Sequence, residues 1–201
     1  MKCIGITGGV GCGKTEILQH IQKNYRCKIV LSDLLAKELQ QPGKPCYEPL
    51  VKLLGEKVLD ENGKLEPSKM AKIIFADEEL LKQVNEIVHP MVVKTIVEDI
   101  RKANKSKQYD FFFVEAALLI EAGFDKICDE LWYIYADEAV RKIRLQISRG
   151  YSEEKILQIM ASQMPEETFR KYCKVVIDNS GNLADSKKQV DKVLEAYLCQ
   201  M

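Results

Sequence analysis

No sign of charge dominates this chain: 30 Lys and Arg stand against 30 Asp and Glu in 201 residues. A neutral balance lacks the electrostatic footprint of a nucleic-acid-binding arm or a polybasic membrane tail, so neither partner is expected. No apolar run reaches the ~20 residues that a membrane helix needs. The N-terminus enters a strand pattern directly, without an apolar signal core, and a cytoplasmic protein is expected. The two histidines, His20 and His89, stand far apart and make no metal site. Seven cysteines are scattered without a C-x-x-C pair, which argues against a zinc ribbon or a disulfide framework. In a reducing compartment they read as small buried hydrophobes. No internal repeat or low-complexity tract interrupts the chain, whose length suits one α/β domain with an inserted or appended subdomain.

What is present is concentrated near the start. Gly8-Gly9-Val10-Gly11-Cys12-Gly13-Lys14-Thr15 follows the apolar run Cys3–Thr7 and precedes a helical pattern. This is Gly, four residues, Gly-Lys-Thr in the strand–loop–helix context that a phosphate-binding loop requires. Glycines let backbone N–H groups converge on a polyphosphate without Cβ clashes, and the helix adds its free N–H groups and dipole. Lys14 is expected on the β- and γ-phosphates of ATP, and the Thr15 hydroxyl on Mg²⁺. Gly8, Gly9, Val10, Gly11, Cys12, Gly13, Lys14 and Thr15 are therefore the candidate ATP-binding residues. Cys12 is either an inert loop position or a thiol activated by the helix N-terminus.

Five β-rich runs stand out, Lys2–Thr7, Cys27–Ser32, Tyr109–Glu115, Glu130–Ala136 and Lys174–Asp178, with helical stretches between most of them. Apolar strands joined by helices predict a five-stranded parallel sheet covered on both faces, an α/β/α three-layer P-loop fold. Ligands in such sheets bind at the carboxyl ends of strands, which nominates Thr7, Asp33, Glu115 and Ala136. The segment 34–107, with turn signals at Pro42-Gly43-Lys44-Pro45 and Glu61-Asn62-Gly63-Lys64, exceeds the dozen or so residues of a crossover helix. It is expected to be an inserted helical subdomain that contacts a second substrate, leaving 1–33, 108–140 and 164–201 as the nucleotide-binding core.

A GTP-binding switch would carry an N-K-x-D motif; Asn104-Lys105-Ser106-Lys107 lacks the Asp. A small kinase remains, and phosphoryl transfer needs an acid at the acceptor hydroxyl and cations over the phosphate. Asp33, at the end of the second strand, meets the first need, or caps the following helix with Ser32. Glu115 suits Mg²⁺ or substrate contact. Arg141, Arg144 and Arg149, with Gly150 ending their helix, are either a mobile lid's cations or solvated helix charges. His20 reads as a surface residue, and His89 as a helix-terminal group before Pro90, which opens the next helix.

Taken in order, the motifs resemble those of the dephospho-coenzyme A kinase family: Ile4–Gly9 with Gly13-Lys14-Thr15, then Asp33, Ala36 and Leu39, then Pro42-Gly43, Gly55, Gly63 and Phe75. His89-Pro90, Leu118–Phe124, the Arg144/Arg149/Ser152 stretch, Gln163-Met164 and Val176–Gly181 follow, so the resemblance spans nearly the whole chain. It implies transfer of the ATP γ-phosphate, with Mg²⁺, to the ribose 3′-hydroxyl of dephospho-CoA, the last step of coenzyme A synthesis. It also implies a lid over 141–163 and an acceptor subdomain over 34–107. By this resemblance Asp33 accepts the hydroxyl proton, and Lys14, Arg144 and Arg149 act in catalysis. Asn179 and Gly181 border the adenine, and Asp33, His89, Glu115, Leu118 and Leu119 lie on the acceptor side. The chain departs from the family at Glu115-Ala116-Ala117, where many members have Asp-x-Pro, and at Ile159 and Pro67, where Arg is common. A P-loop kinase of another small hydroxyl acceptor, such as a nucleoside monophosphate, and a nucleotide-dependent switch are the alternatives. A monomer or small homo-oligomer is expected.

Overall fold

Short runs rich in β-branched and aromatic residues, each bounded by a helix, build a five-stranded parallel sheet in the computed structural model, which describes residues 1–200. The strands are β1 (Lys2–Thr7), β2 (Cys27–Leu31), β3 (Phe111–Glu115), β4 (Glu130–Tyr135) and β5 (Val175–Asp178), in the order β2-β3-β1-β4-β5. β1 is central: Ile4 pairs in register with Phe113 on one side and Glu130 on the other. Burial on both faces explains why β3 reads Phe-Phe-Phe-Val and β4 Leu-Trp-Tyr-Ile, with Phe111, Phe112, Phe113 and Trp132 fully buried. Phe113 and Trp132 meet edge to face at 6.2 Å, and Tyr133 stacks on Phe169 at 4.8 Å. Such pairs add to simple area burial.

The chain falls into two compact units: Met1–Val30 with the chain from Lys102 onward, and Leu31–Arg101. In the first unit the sheet is flanked by α1 (Lys14–Asn24), α6 (Glu138–Arg149), α7 (Glu153–Ala161), α8 (Glu166–Tyr172) and α9 (Leu183–Leu198). The second contains α2 (Ser32–Leu39), α3 (Tyr47–Leu54), α4 (Pro67–Ile74) and most of α5 (Glu78–Ser106). Both expected turns fall between these helices, and α4 opens on Pro67, whose fixed φ and missing N–H suit a first helical position.

Some boundaries differ from the sequence pattern. Ser32 begins α2 rather than ending β2, and Tyr109, Ala136 and Lys174 lie just outside their strands. Pro90 does not open a helix; it lies inside α5. The apolar stripe Val84, Val88, Val92 and Ile96 runs through it unbroken and buried. Burying that stripe outweighs the hydrogen bond forfeited at the proline. His20 is not a free surface group either: its Nε2 lies 2.7 Å from Asp191 Oδ1 on α9.

The N-terminal rim of the sheet is closed by a buried carboxylate. Glu130 accepts hydrogen bonds from Trp132 Nε1 at 2.7 Å and from the Tyr197 hydroxyl of α9, and pairs with Lys2 Nζ at 3.1 Å. Burial alone would push the Glu130 carboxyl up. The hydrogen bonds from Tyr197 and Trp132 and the Lys2 ammonium outweigh that and hold it below its usual value. A lowered folded pKa contributes stability that is complete above the ordinary value of 4.5 and lost as pH falls through the folded value. Glu130→Ala should cost about 2–3 kcal/mol at pH 7, since it removes a charged partner from one buried and one half-buried donor. Glu130→Gln should flatten the loss of stability between pH 5 and 3. Urea unfolding at several pH values, by circular dichroism, checks both.

Candidate active site

Thr7 ends β1, and the chain loops through Gly8–Gly13 before α1 starts at Lys14. Gly13 takes the left-handed conformation at φ 86°, ψ 32° and caps α1 without any side-chain hydrogen bond. The first-turn N–H groups of α1 are thereby left for an anion. Lys14 Nζ donates to Gly8 O at 2.7 Å and stands 3.7 Å from Glu115 Oε1, at the end of β3. Its ammonium therefore arches over the loop between a carbonyl and a carboxylate. The Thr15 side chain is exposed beside it. Thr7 Oγ1, fully buried under the loop, lacks a hydrogen-bond partner among the described residues.

The loop is gripped from behind by the helices that follow β4 and β5. Asn179, one residue past β5 and buried, donates from Nδ2 to Cys12 O at 2.7 Å and accepts from Ser186 Oγ at 2.8 Å. Arg144 of α6 donates to Cys12 O at 3.4 Å and to Asn179 O at 2.9 Å. Arg141, one turn earlier, donates from Nε to Val10 O at 2.8 Å, and Gln163 Oε1 accepts from Val10 N–H at 3.2 Å and from Arg141 Nη2. Two glycines make this closeness possible. A Cβ on Gly13 would fall on Asn179 Nδ2, and one on Gly9 would fall on the Arg141 guanidinium.

The structure thus gathers Gly8–Thr15, Glu115, Arg144 and Asn179 in one place. Asn179 faces the loop backbone, its amide committed to Cys12 and Ser186. Arg149 stays at the exposed C-terminal end of α6, near the Tyr151 ring at 5.8 Å. Gly150 ends that helix in the left-handed conformation at φ 61°. Leu118 is exposed, whereas Leu119 is fully buried. The Leu119 Cδ atoms come within about 3.0–3.2 Å of where a Gly5 Cβ would sit. Leu119 is a core side chain here and offers no surface to an acceptor, because position 5 carries no side chain to fill that space. Gly181 is exposed in the turn after Asn179.

In the second unit, Asp33 occupies the first turn of α2, exposed. The helix is capped by Leu31 without a side-chain bond, so Asp33 is not the cap. As a first-turn acid it is favoured by the helix dipole. His89 is exposed on α5 in a shallow groove with Glu86, Asn85 and Glu78.

Cys12 resolves to the inert alternative. It is buried at 1% exposure, and burial pushes its thiol up despite the nearby Lys14. Sequence reasoning missed Ser186 and the contacts of Gln163. Gln163-Met164 was visible only as part of a resemblance, and Ser186 carries no local signal, because its partner Asn179 lies across a turn.

A family model described as dephospho-CoA kinase matches residues 2–185. A relative from Aquifex aeolicus named dephospho-CoA kinase is 40% identical over 97% of each chain. Among solved structures, a Thermus thermophilus protein superposes with a TM-score of 0.80 at 29% identity over 97% of both chains. A dephospho-CoA kinase from Campylobacter jejuni superposes at 0.74 over all of both chains, and at 22% identity shows the shared fold alone.

Gly13→Ala should weaken ADP binding at least tenfold in calorimetry, because a left-handed residue acquires a Cβ on Asn179. Thiol titration of the folded protein should find Cys199, which is exposed, reacting well before Cys12.

Proposed function

The chain belongs to the dephospho-CoA kinase family, and on that premise we propose which of its residues perform the family's reaction. It is a kinase that transfers the γ-phosphate of ATP to the ribose 3′-hydroxyl of dephospho-CoA, giving coenzyme A and ADP, the last step of coenzyme A synthesis. The observation that carries the residue assignments is the formed phosphate loop with Lys14 poised over it between Gly8 O and Glu115.

Binding begins at the loop. The N–H groups of Gly11, Gly13, Lys14 and Thr15 receive the β- and γ-phosphates, and Lys14 exchanges the Gly8 carbonyl for phosphate oxygen, neutralising charge as the bond to the leaving group loosens. Asp33 takes the proton of the acceptor hydroxyl as the oxygen attacks phosphorus. Support for that role comes from its exposed carboxylate immediately after a strand's carboxyl end. Arg149 supplies a cation to the transferring phosphoryl group, with 141–163 as the lid that carries it, and Arg144, engaged by the Cys12 and Asn179 carbonyls, acts through the loop it holds. We assign His89, Leu118 and Glu115 to the acceptor side, and 34–107 to the acceptor subdomain. Gly181 borders the adenine.

Thr15 and Glu115 present the hard oxygen donors that suit Mg²⁺. Among the described residues no group of three or more His, Cys, Asp or Glu could hold a metal by itself, and Thr15 and Glu115 would hold Mg²⁺ together with the phosphates of ATP. When bound with ATP, Mg²⁺ offsets charge on the β- and γ-oxygens. No helix among the described residues is long and apolar enough to cross a membrane. We place the enzyme in the cytoplasm, as a monomer or small homo-oligomer without a nucleic-acid partner.

Asp33→Asn should lower turnover at least 100-fold and leave ATP affinity within a few-fold, whereas Lys14→Ala should abolish transfer. Coenzyme A followed by mass, with ADP release in parallel, checks both. Near-normal turnover in Asp33→Asn removes that residue from proton transfer.

A further inference from the structure

We propose that Arg141 and Gln163 form a clamp on the backbone of Val10 that positions the crest of the phosphate loop for γ-phosphoryl transfer. The inference rests on the ATP chemistry assigned above.

The geometry is a closed ring of three hydrogen bonds. Val10 N–H donates to Gln163 Oε1 at 3.2 Å, Arg141 Nε donates to Val10 O at 2.8 Å, and Arg141 Nη2 donates to the same Gln163 oxygen. The N–H and C=O of one residue belong to different peptide planes, so pinning both fixes φ and ψ of Val10 together. The two anchors come from separate places in the chain. Arg141 lies in the first turns of α6, and Gln163 follows α7. The loop crest, otherwise a glycine-flanked strip of free backbone, is thereby tied to the helices beside it.

Three further observations point to positioning rather than incidental packing. The guanidinium of Arg141 fills the space where any side chain on Gly9 would begin, so the loop sequence and the clamp are matched. Gly11 likewise backs on to the Arg141 carbonyl and Leu145 Cγ, leaving a Cβ only about 3.0–3.1 Å. Arg144, on the same face of α6 three residues later, holds the Cys12 carbonyl, so one helix engages two alternate loop carbonyls, Val10 O and Cys12 O. A carbonyl whose negative end is bound by a guanidinium behind the loop does not oppose an incoming anion, and its peptide N–H becomes a stronger donor. Arg141 needs no contact with the nucleotide for this, because it acts through the two donors that Val10 and Gln163 engage.

Val10 precedes the Gly13 cap of α1 by three residues, so the clamp acts on the middle of the loop and not on the helix N-terminus that receives a diphosphate. Misplacement of the crest should therefore damage transfer of the γ-phosphate more than binding of a diphosphate. Gln163→Leu and Arg141→Met are compared with the conservative Gln163→Glu, whose carboxylate still accepts from both Val10 N–H and Arg141. The expected result is a fall in kcat of at least tenfold in Gln163→Leu and in Arg141→Met, with the ADP dissociation constant within about threefold of wild type. Gln163→Glu should recover turnover to within about threefold, and the double variant should be no worse than the poorer single one, as expected of two residues acting through one contact. Turnover within twofold of wild type in Gln163→Leu overturns the clamp. So does a loss that falls wholly on ADP affinity, or one that tracks the melting temperature in all variants, Gln163→Glu included. Transfer is read to dephospho-CoA and to water, each as a ratio to wild type. Wild-type protein that hydrolyses ATP without making coenzyme A strikes at the acceptor, while the ratios to water still judge the clamp.

Discussion

The Cys12 carbonyl is the point on which the nucleotide-binding unit converges. It accepts from Asn179, one residue past β5, and from Arg144 of α6, so the elements that follow two different strands meet on one peptide of the phosphate loop. A loop of four glycines in eight residues has little conformational preference of its own, and ordering it by ligand alone would charge its entropy against affinity. Hydrogen bonds donated by Asn179, Arg144 and Arg141 and one accepted by Gln163 order it beforehand. Preorganisation of this kind is what electrostatic stabilisation of phosphoryl transfer requires, since donors already in place need no rearrangement at the transition state.

The rest of the first unit supplies rigidity to that grip. The sheet core is a continuous block of large side chains, Phe111, Phe112, Phe113 and Trp132 among them, and β4 and β5 present Tyr135 O and Asn179 N to each other at 2.8 Å just where the loop is held. At the opposite rim, Glu130 joins β1, β4 and α9 through Lys2, Trp132 and Tyr197. A buried carboxylate satisfied on both oxygens holds the C-terminal end of α9 through Tyr197, and Ser186 near the start of α9 is the residue that orients Asn179. The two ends of the sheet are thus connected through one helix.

Much of this was legible in the residues themselves. The phosphate loop, all five strands and the turns at Pro42–Pro45 and Glu61–Lys64 follow from glycine spacing, apolar runs and turn chemistry, which are local signals. What escaped was non-local. Pro90 looks like a helix start, and only the buried stripe from Val84 to Ile96 shows why the helix continues through it. Leu119 reads as a site residue by resemblance, yet it fills the space that Gly5 leaves in the core. Arg141 reads as one of three arginines that are either lid cations or solvated helix charges; its distinct partners, Val10 and Gln163, lie 131 and 22 positions away and appear only once the chain has folded. A single sequence shows which side chains could reach a phosphate, and not which of them are already engaged by the backbone.

Hydrogen exchange of the nucleotide-free protein, followed amide by amide by NMR, tests the central claim that the phosphate loop is built before its ligand arrives. Val10 N–H, bonded to Gln163, and Cys12 N–H, bonded to Gly9 O at 3.2 Å, should exchange at least 100-fold more slowly than an unstructured chain, in the absence of any nucleotide. Exchange of both at the unstructured rate, with protection appearing only on addition of ADP, would mean that the ligand folds the loop and that the contacts from α6 and Asn179 do not.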